Sequence, residues 1–277
     1  MHTDGKTAGA VAAMWRYPVK SMLGEEISST ILTDRGLLGD RAYALVDQAT
    51  GKVVSAKNPR KWPSMFAFRA EFAAPPDQSE GFPPVRITMP DGISVMSSHP
   101  NIDSLLSRAL GCAVTFEAKP PASPKLEEYW PDVENLAHRE MVTEEAMPPG
   151  TFFDGAVVHI VTTATLEHLH ALYPDGRFEA RRFRPNLIVA PPSGEMGFIE
   201  NDWVGCTLAI GSHVRLKVTC ATGRCVMTTL AQGDLPRDIG ILKTAVQGNA
   251  ANVGIYASVE RGGIIRAGDA VKIEAPA

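Results

Sequence analysis

The sequence predicts a mainly β fold with some α, of the α+β class, in two parts. Three observations predict it. Short runs rich in Val, Ile and Thr recur, with Gly, Pro or Asp turns roughly every ten residues, the rhythm of a barrel or sandwich. Helical spacing shows in "IDSLLSRALG" and in "TTATLEHLHALYP". An irregular Pro- and Glu-rich stretch at 119–150 separates the two parts.

Taken in order, "GAVAAMWRYPVKS" reads as a strand running into a turn at Tyr17-Pro18, and "EISSTILTD" as a strand. "RAYALVDQATGKVVSA" predicts a hairpin around Gly51. Residues 74–84 form a Pro/Gly loop, and "VRITMPDGISVMSS" a second hairpin with its turn at Asp91-Gly92. A helix ending at Gly111 follows. In the second part, "AVVHIVTTATLEHLHALYP" predicts a strand feeding a helix capped by Thr163 or Thr165. "FRPNLIVA" is a strand, with Arg184 and Asn186 on one face. "CTLAIGSHVRLKVTC" is a hairpin around Gly211-Ser212, and "GIYASVERGGIIRAGDAVKIE" a β pair joined at Gly262-Gly263.

Composition excludes several classes. A net charge of −4 argues against general nucleic-acid binding. No apolar run is long enough for a transmembrane helix, and "AGAVAAMW" is short for a signal-peptide core, so a cytoplasmic, membrane-free protein is expected. The four cysteines, at 112, 206, 220 and 225, form neither a disulfide framework nor a zinc or iron–sulfur spacing.

"CATGRCVMTT" carries the chemistry of interest. Arg224 adjoins Cys225, and a guanidinium favours the thiolate, the form that attacks or binds a soft metal. A small buried residue at a strand end is the competing reading, and Cys220 reads as core. Lys20 and Ser21 in "YPVKS" suit a phosphate, as does Arg41 in the Gly-bearing turn "RGLLGDR". "RRFRPN" contributes Arg184 and Asn186, whereas "SAKNPRKW" reads as a solvated loop. His159, His168 and His170 cluster in sequence, but His168 and His170, two apart on a helix, do not share a face. No Walker, Rossmann or nucleophile-elbow pattern is present.

The ordered set "YPVKS…RGLLGDRAYALVD…SAKNPRKWP", "FRPNLIV", "CATGRCVMTT" and "NVGIYASVERGGIIRAGD" resembles the MOSC family, with its N-terminal β-barrel-like domain at 8–118 and its MOSC β-barrel domain at 130–275. Members similar to the mitochondrial amidoxime reducing component bind a molybdenum–molybdopterin cofactor and reduce N-hydroxylated or N-oxygenated small molecules. The resemblance implies Cys225 as catalytic metal ligand. It implies Lys20, Ser21, Arg41, Thr162, Thr163, Arg184, Asn186 and Arg224 as cofactor-binding residues. It also implies a molybdenum-dependent reductase with a small-molecule substrate and an external electron donor, a ferredoxin or a flavin reductase. The alternative is a cofactor or sulfur carrier, a sulfurtransferase module using a Cys225 persulfide. One departure stands out: Ala231 occupies the place of a family acidic residue, with Asp234 and Asp238 shifted nearby.

Overall fold

The computed structural model describes residues 5–77, 81–136, 138–192 and 194–274. The chain is mainly β with four helices among the described residues. Seven strands close a barrel: β1 (Lys6–Arg16), β2 (Val158–Thr162), β3 (Leu187–Ala190), β4 (Thr207–Ile210), β5 (Val214–Gly223), β6 (Asn252–Arg261) and β7 (Ala270–Glu274). Their order is β3-β2-β6-β5-β4-β7-β1, and β1 pairs back onto β3. Only β2 and β3 are parallel neighbours. The crossover that a parallel pair requires contains helices α2 (Thr163–Leu172) and α3 (Ala180–Phe183).

The strand that closes the barrel comes from the far end of the chain. Val11 and Met14 of β1 pair with Val189 and Leu187 of β3, while Lys6–Ala10 pairs with β7. Closure leaves the barrel strands no open edge. Val158, Ile160, Leu208, Leu216 and Val218 fill the interior with Val11 and Met14. The first strand of the N-terminal part is therefore a structural member of the C-terminal barrel.

After β1 the chain builds a second core. Trp62, Phe66, Phe68, Val85, Ile87 and Leu106 pack there with Val19 and Met22. Strands Arg69–Phe72, Val85–Thr88 and Ser94–Met96 form a meander beside it. Helix α1 (Ile102–Leu110) stops at Gly111, whose left-handed backbone (φ 71°) ends it as expected. A third cluster joins α2 to α4 (Gly240–Asn249) through Leu169, Ile241 and Ala245.

The structure departs from the sequence expectations in several places. "EISSTILTD" breaks at Ser28 into Glu25–Ile27, paired with β1, and Ser29–Thr33. The run after Gly51 makes only a bridge, Val46 to Val53, because Ala44–Asp47 takes Val114–Glu117 as its partner. Gly263–Arg266 pairs with Ser29–Thr33 and not with β6. The stretch read as irregular holds a ribbon, Lys125–Tyr129 against Val142–Ala146. Within the loop expected at 74–84, residues 78–80 lie outside the described residues.

Candidate functional site

The barrel mouth and the second core enclose a cavity of about 480 Å³, in the size range of small-molecule sites. Its lining includes six cationic side chains (Lys20, Lys57, Arg41, Arg182, Arg184 and Arg224) against two carboxylates, Glu128 and Asp154. In a chain of net charge −4, this local excess of positive charge favours an anion.

The buried carboxylate of Asp40 assembles one wall. It accepts from the Tyr17 amide (2.7 Å) and from Asn186 Nδ2 (2.9 Å), and it pairs with Arg41. Three segments far apart in sequence thus meet on one side chain. Tyr17 then serves as a platform. The Arg41 and Arg184 guanidinium carbons lie 4.4 and 4.1 Å from its ring centroid. Burial pushes the Tyr17 hydroxyl up to about 12, so it stays protonated, 3.2 Å from the Pro185 carbonyl oxygen.

Arg184 is 8% exposed and donates to the Met22 carbonyl oxygen at 2.7 Å. Among the described residues it has no carboxylate partner within salt-bridge distance, and neither has Arg224. Burial, reinforced by Arg41, pulls the Arg184 guanidinium down to about 10, which still leaves it charged at neutral pH. A desolvated, unpaired cation is costly to keep. An anionic ligand would supply the missing partner.

The backbone carries the same signal. Seven non-glycine residues have positive φ among the described residues, and six of them line this cavity: Ser21, Arg41, Asn135, Arg184, Ala250 and Ala251. Such conformations persist where the surroundings over-determine them, and they cluster at functional sites.

Cys225 begins the short 3-10 turn Val226–Thr229 beyond β5, and its carbonyl accepts from the Thr228 hydroxyl at 3.0 Å. Arg224 acts on Cys225 in the expected direction, favouring the thiolate, but it is outweighed. Burial, then Glu128, pushes the Cys225 thiol up to about 12. Arg224 also donates to the Phe183 carbonyl oxygen at 2.9 Å and lies 3.4 Å from His159 Nε2. Arg182, 1% exposed, holds the chain beyond Cys225 through the carbonyl oxygens of Thr228, Leu230 and Pro236.

The structure brings Lys20, Ser21, Arg41, Arg184, Asn186, Arg224 and Cys225 to one cavity. Arg184 and Asn186 reach it from the turn before β3, not from a strand face, since β3 begins at Leu187. Thr162 and Thr163 do not line it. Thr162, and not Thr163 or Thr165, caps α2: its Oγ1 accepts from the Thr165 amide and donates to Glu200 Oε2 at 2.7 Å. Cys220 is exposed where core was expected. A bulge between Val218 and Cys220 turns consecutive side chains outward.

Sequence reasoning passed over Lys57, which lines the cavity from the loop read as solvated. It pairs with Glu128 at 3.0 Å. Burial opposes its charge, but Asp154 and Glu128 outweigh burial and hold the ammonium above its ordinary value. Asp154 also pairs with Lys20. Trp130, Asn135, Leu136 and Tyr256 were also missed, and His159, set aside as a metal ligand in the sequence, lines the cavity too. Burial, then Arg224, keeps His159 neutral by holding its pKa well below the ordinary value. The only sequence cue for Lys57 was the charge density of "SAKNPRKW". The shifted acids lie elsewhere: Asp234 pairs with Arg177 and Arg181, and Asp238 accepts from the Gly240 amide at the start of α4.

The model of the MOSC N-terminal beta barrel domain matches residues 8–104, and that of the MOSC domain matches residues 148–272. The chain is a MOSC domain protein. MOSC domains are associated with molybdenum-cofactor binding in general. No curated protein matches the chain. The YUAD protein from Bacillus subtilis is similar in structure at 11% identity and a TM-score of 0.48, with 96% of each chain covered. YiiM from Geobacillus stearothermophilus is similar at 14% identity and a TM-score of 0.32, covering 56% of this chain and 75% of that one. Likenesses this distant carry no argument about function. Among the described residues no helix is long and apolar enough to cross a membrane.

Two outcomes are expected. Arg184→Met is expected to weaken binding of pyrophosphate, measured by calorimetry, by roughly tenfold or more, the worth of one charge-assisted hydrogen bond. Its unfolding free energy should stay within about 1 kcal/mol of the parent, because an unpaired buried charge is removed. Glu200 is fully buried, and burial raises its pKa, so the folded state favours its protonated form. Its contribution is therefore most favourable below the ordinary carboxyl range and is lost as pH rises toward the folded-state value. Urea titrations should show the stability of Glu200→Gln gaining on that of the parent between pH 4 and pH 8.

Proposed function

We propose that this MOSC protein is a molybdenum–molybdopterin oxidoreductase that reduces N-hydroxylated or N-oxygenated small molecules. The observation that carries this reading is a single cavity joining Cys225 to the buried, unpaired guanidinium of Arg184. The donor set fits the cofactor. Its terminal phosphate suits Lys20, Arg41 and Arg184, with Ser21 and Asn186 adding polar contacts. Among the described residues, no three His, Cys, Asp or Glu side chains cluster as a metal site. A metal here would take one thiolate from Cys225 and the rest of its ligands from the cofactor, whose dithiolene supplies sulfur.

When bound, the cofactor supplies a metal centre able to accept an oxygen atom and pass on two electrons. The chain's own residues position and enclose it. The Tyr17 platform fixes the spacing of Arg41 and Arg184. Arg182 and the Thr228 hydroxyl hold the loop that presents Cys225 Sγ. Lys57 keeps an ammonium in the Cys225 half of the cavity. The overall reaction takes R–NH–OH, two electrons and two protons to R–NH2 and water. The electrons would come from a separate ferredoxin- or flavin-type donor.

The test is turnover by holoprotein with dithionite-reduced viologen and benzamidoxime. Native protein should oxidise the viologen in a substrate-dependent way. Cys225→Ala should lose at least roughly a hundredfold, the upper range for damage even to outer-shell supports of metal sites, while circular dichroism stays unchanged. A cofactor-loaded native protein that is idle on N-hydroxylated compounds would contradict the reading. Idleness together with an added sulfur on Cys225 by mass spectrometry would establish the carrier alternative.

A further inference from the structure

The stretch between the two family matches, residues 105–147, contributes its own wall to the cavity. The ribbon Lys125–Tyr129/Val142–Ala146 and the loop joining its strands bring Glu128, Trp130, Asn135 and Leu136 there. They stand with Lys57, Tyr256 and Cys225. The phosphate-suited residues Lys20, Arg41 and Arg184 come from other segments, before and after this wall.

The wall is built to hold its shape. Lys52 bridges Glu127 and Glu144, one from each strand of the ribbon, at 2.9 Å each. Val133 and Leu136 pack on Leu242 and Val246 of α4. The Trp130 amide donates to the Met141 carbonyl oxygen at 2.9 Å. Its indole Nε1 donates to Thr143 Oγ1 at 2.9 Å, and His138 packs edge-on, 5.3 Å from the ring. Trp130 thus has no unmet donor and offers apolar ring surface. Glu128 is committed to Lys57, so it does not act as a free anionic selector. Beside the Asn135 amide, what the wall offers a substrate is the apolar surface of the Trp130 ring with Leu136.

We infer that this wall is the substrate-selecting surface, and that it favours N-hydroxylated compounds carrying a planar aryl group. The ring packs on Trp130 and Leu136, and the N–OH end lies toward Cys225. Aromatic side chains give large contact area with little conformational freedom to lose. The inference rests on the reductase reading for its substrate class.

The experiment compares native holoprotein, Trp130→Ala and Trp130→Phe on benzamidoxime and on hydroxylamine, which has no ring. Binding of benzamidine is measured alongside by calorimetry and does not depend on turnover. Trp130→Ala should raise KM for benzamidoxime and weaken benzamidine binding, each roughly tenfold, with KM for hydroxylamine unchanged. Trp130→Phe should restore most of both. Equal effects on the two substrates, or no effect on either, would overturn the inference, as would a native holoprotein that binds no benzamidine. Loss of benzamidine binding in Trp130→Ala without turnover in any variant would uphold the wall and remove the reductase reading alone.

Discussion

The candidate site depends on one buried carboxylate. Asp40 fastens the turn after β1, its own loop and the approach to β3, through Tyr17, Arg41 and Asn186. Without it, Arg41 would lose its counter-charge and the Tyr17 amide its acceptor in a dry environment. Breaking such a buried pair costs about 3–5 kcal/mol. Barrel closure does the same work on a larger scale. Because β1 pairs with both β3 and β7, the segment bearing Lys20 and Ser21 is delivered to the mouth formed by the C-terminal strands.

Around that frame the protein holds unfavourable features in one place. Six strained backbone positions line the cavity, each costing of order 1 kcal/mol. Arg184 is buried there without a carboxylate, and Cys225 is held as a thiol in a desolvated pocket. The proposed cofactor, anionic at one end and bringing a thiolate-seeking metal at the other, would offset these costs together. On that reading the cavity trades folding stability for readiness to bind.

Much of this was legible in the sequence because turns carry local signals. "YPVKS", "RGLLGDR", "FRPN" and "TGRC" all reach the cavity, and Gly111 ends its helix where expected. Pairings between distant segments were not legible. Nothing local shows that β1 closes the later barrel, or that Lys57 meets Glu128. The ribbon at 125–146 was hidden by its charges, which cross-strand and neighbouring lysines neutralise. Thr162 sits next to a family-like stretch, yet its hydroxyl is spent capping α2 and binding Glu200. Cys220 alternates as core on paper and is turned out by a bulge.

The central claim is that this cavity holds a molybdenum cofactor through Cys225. Its most direct test is the molybdenum content per chain of protein purified from a cofactor-producing host, beside that of Cys225→Ala. Near-stoichiometric metal in the native chain that disappears in the variant is the result the account predicts. A native chain without molybdenum, from a host shown to load a known molybdenum enzyme, would contradict it.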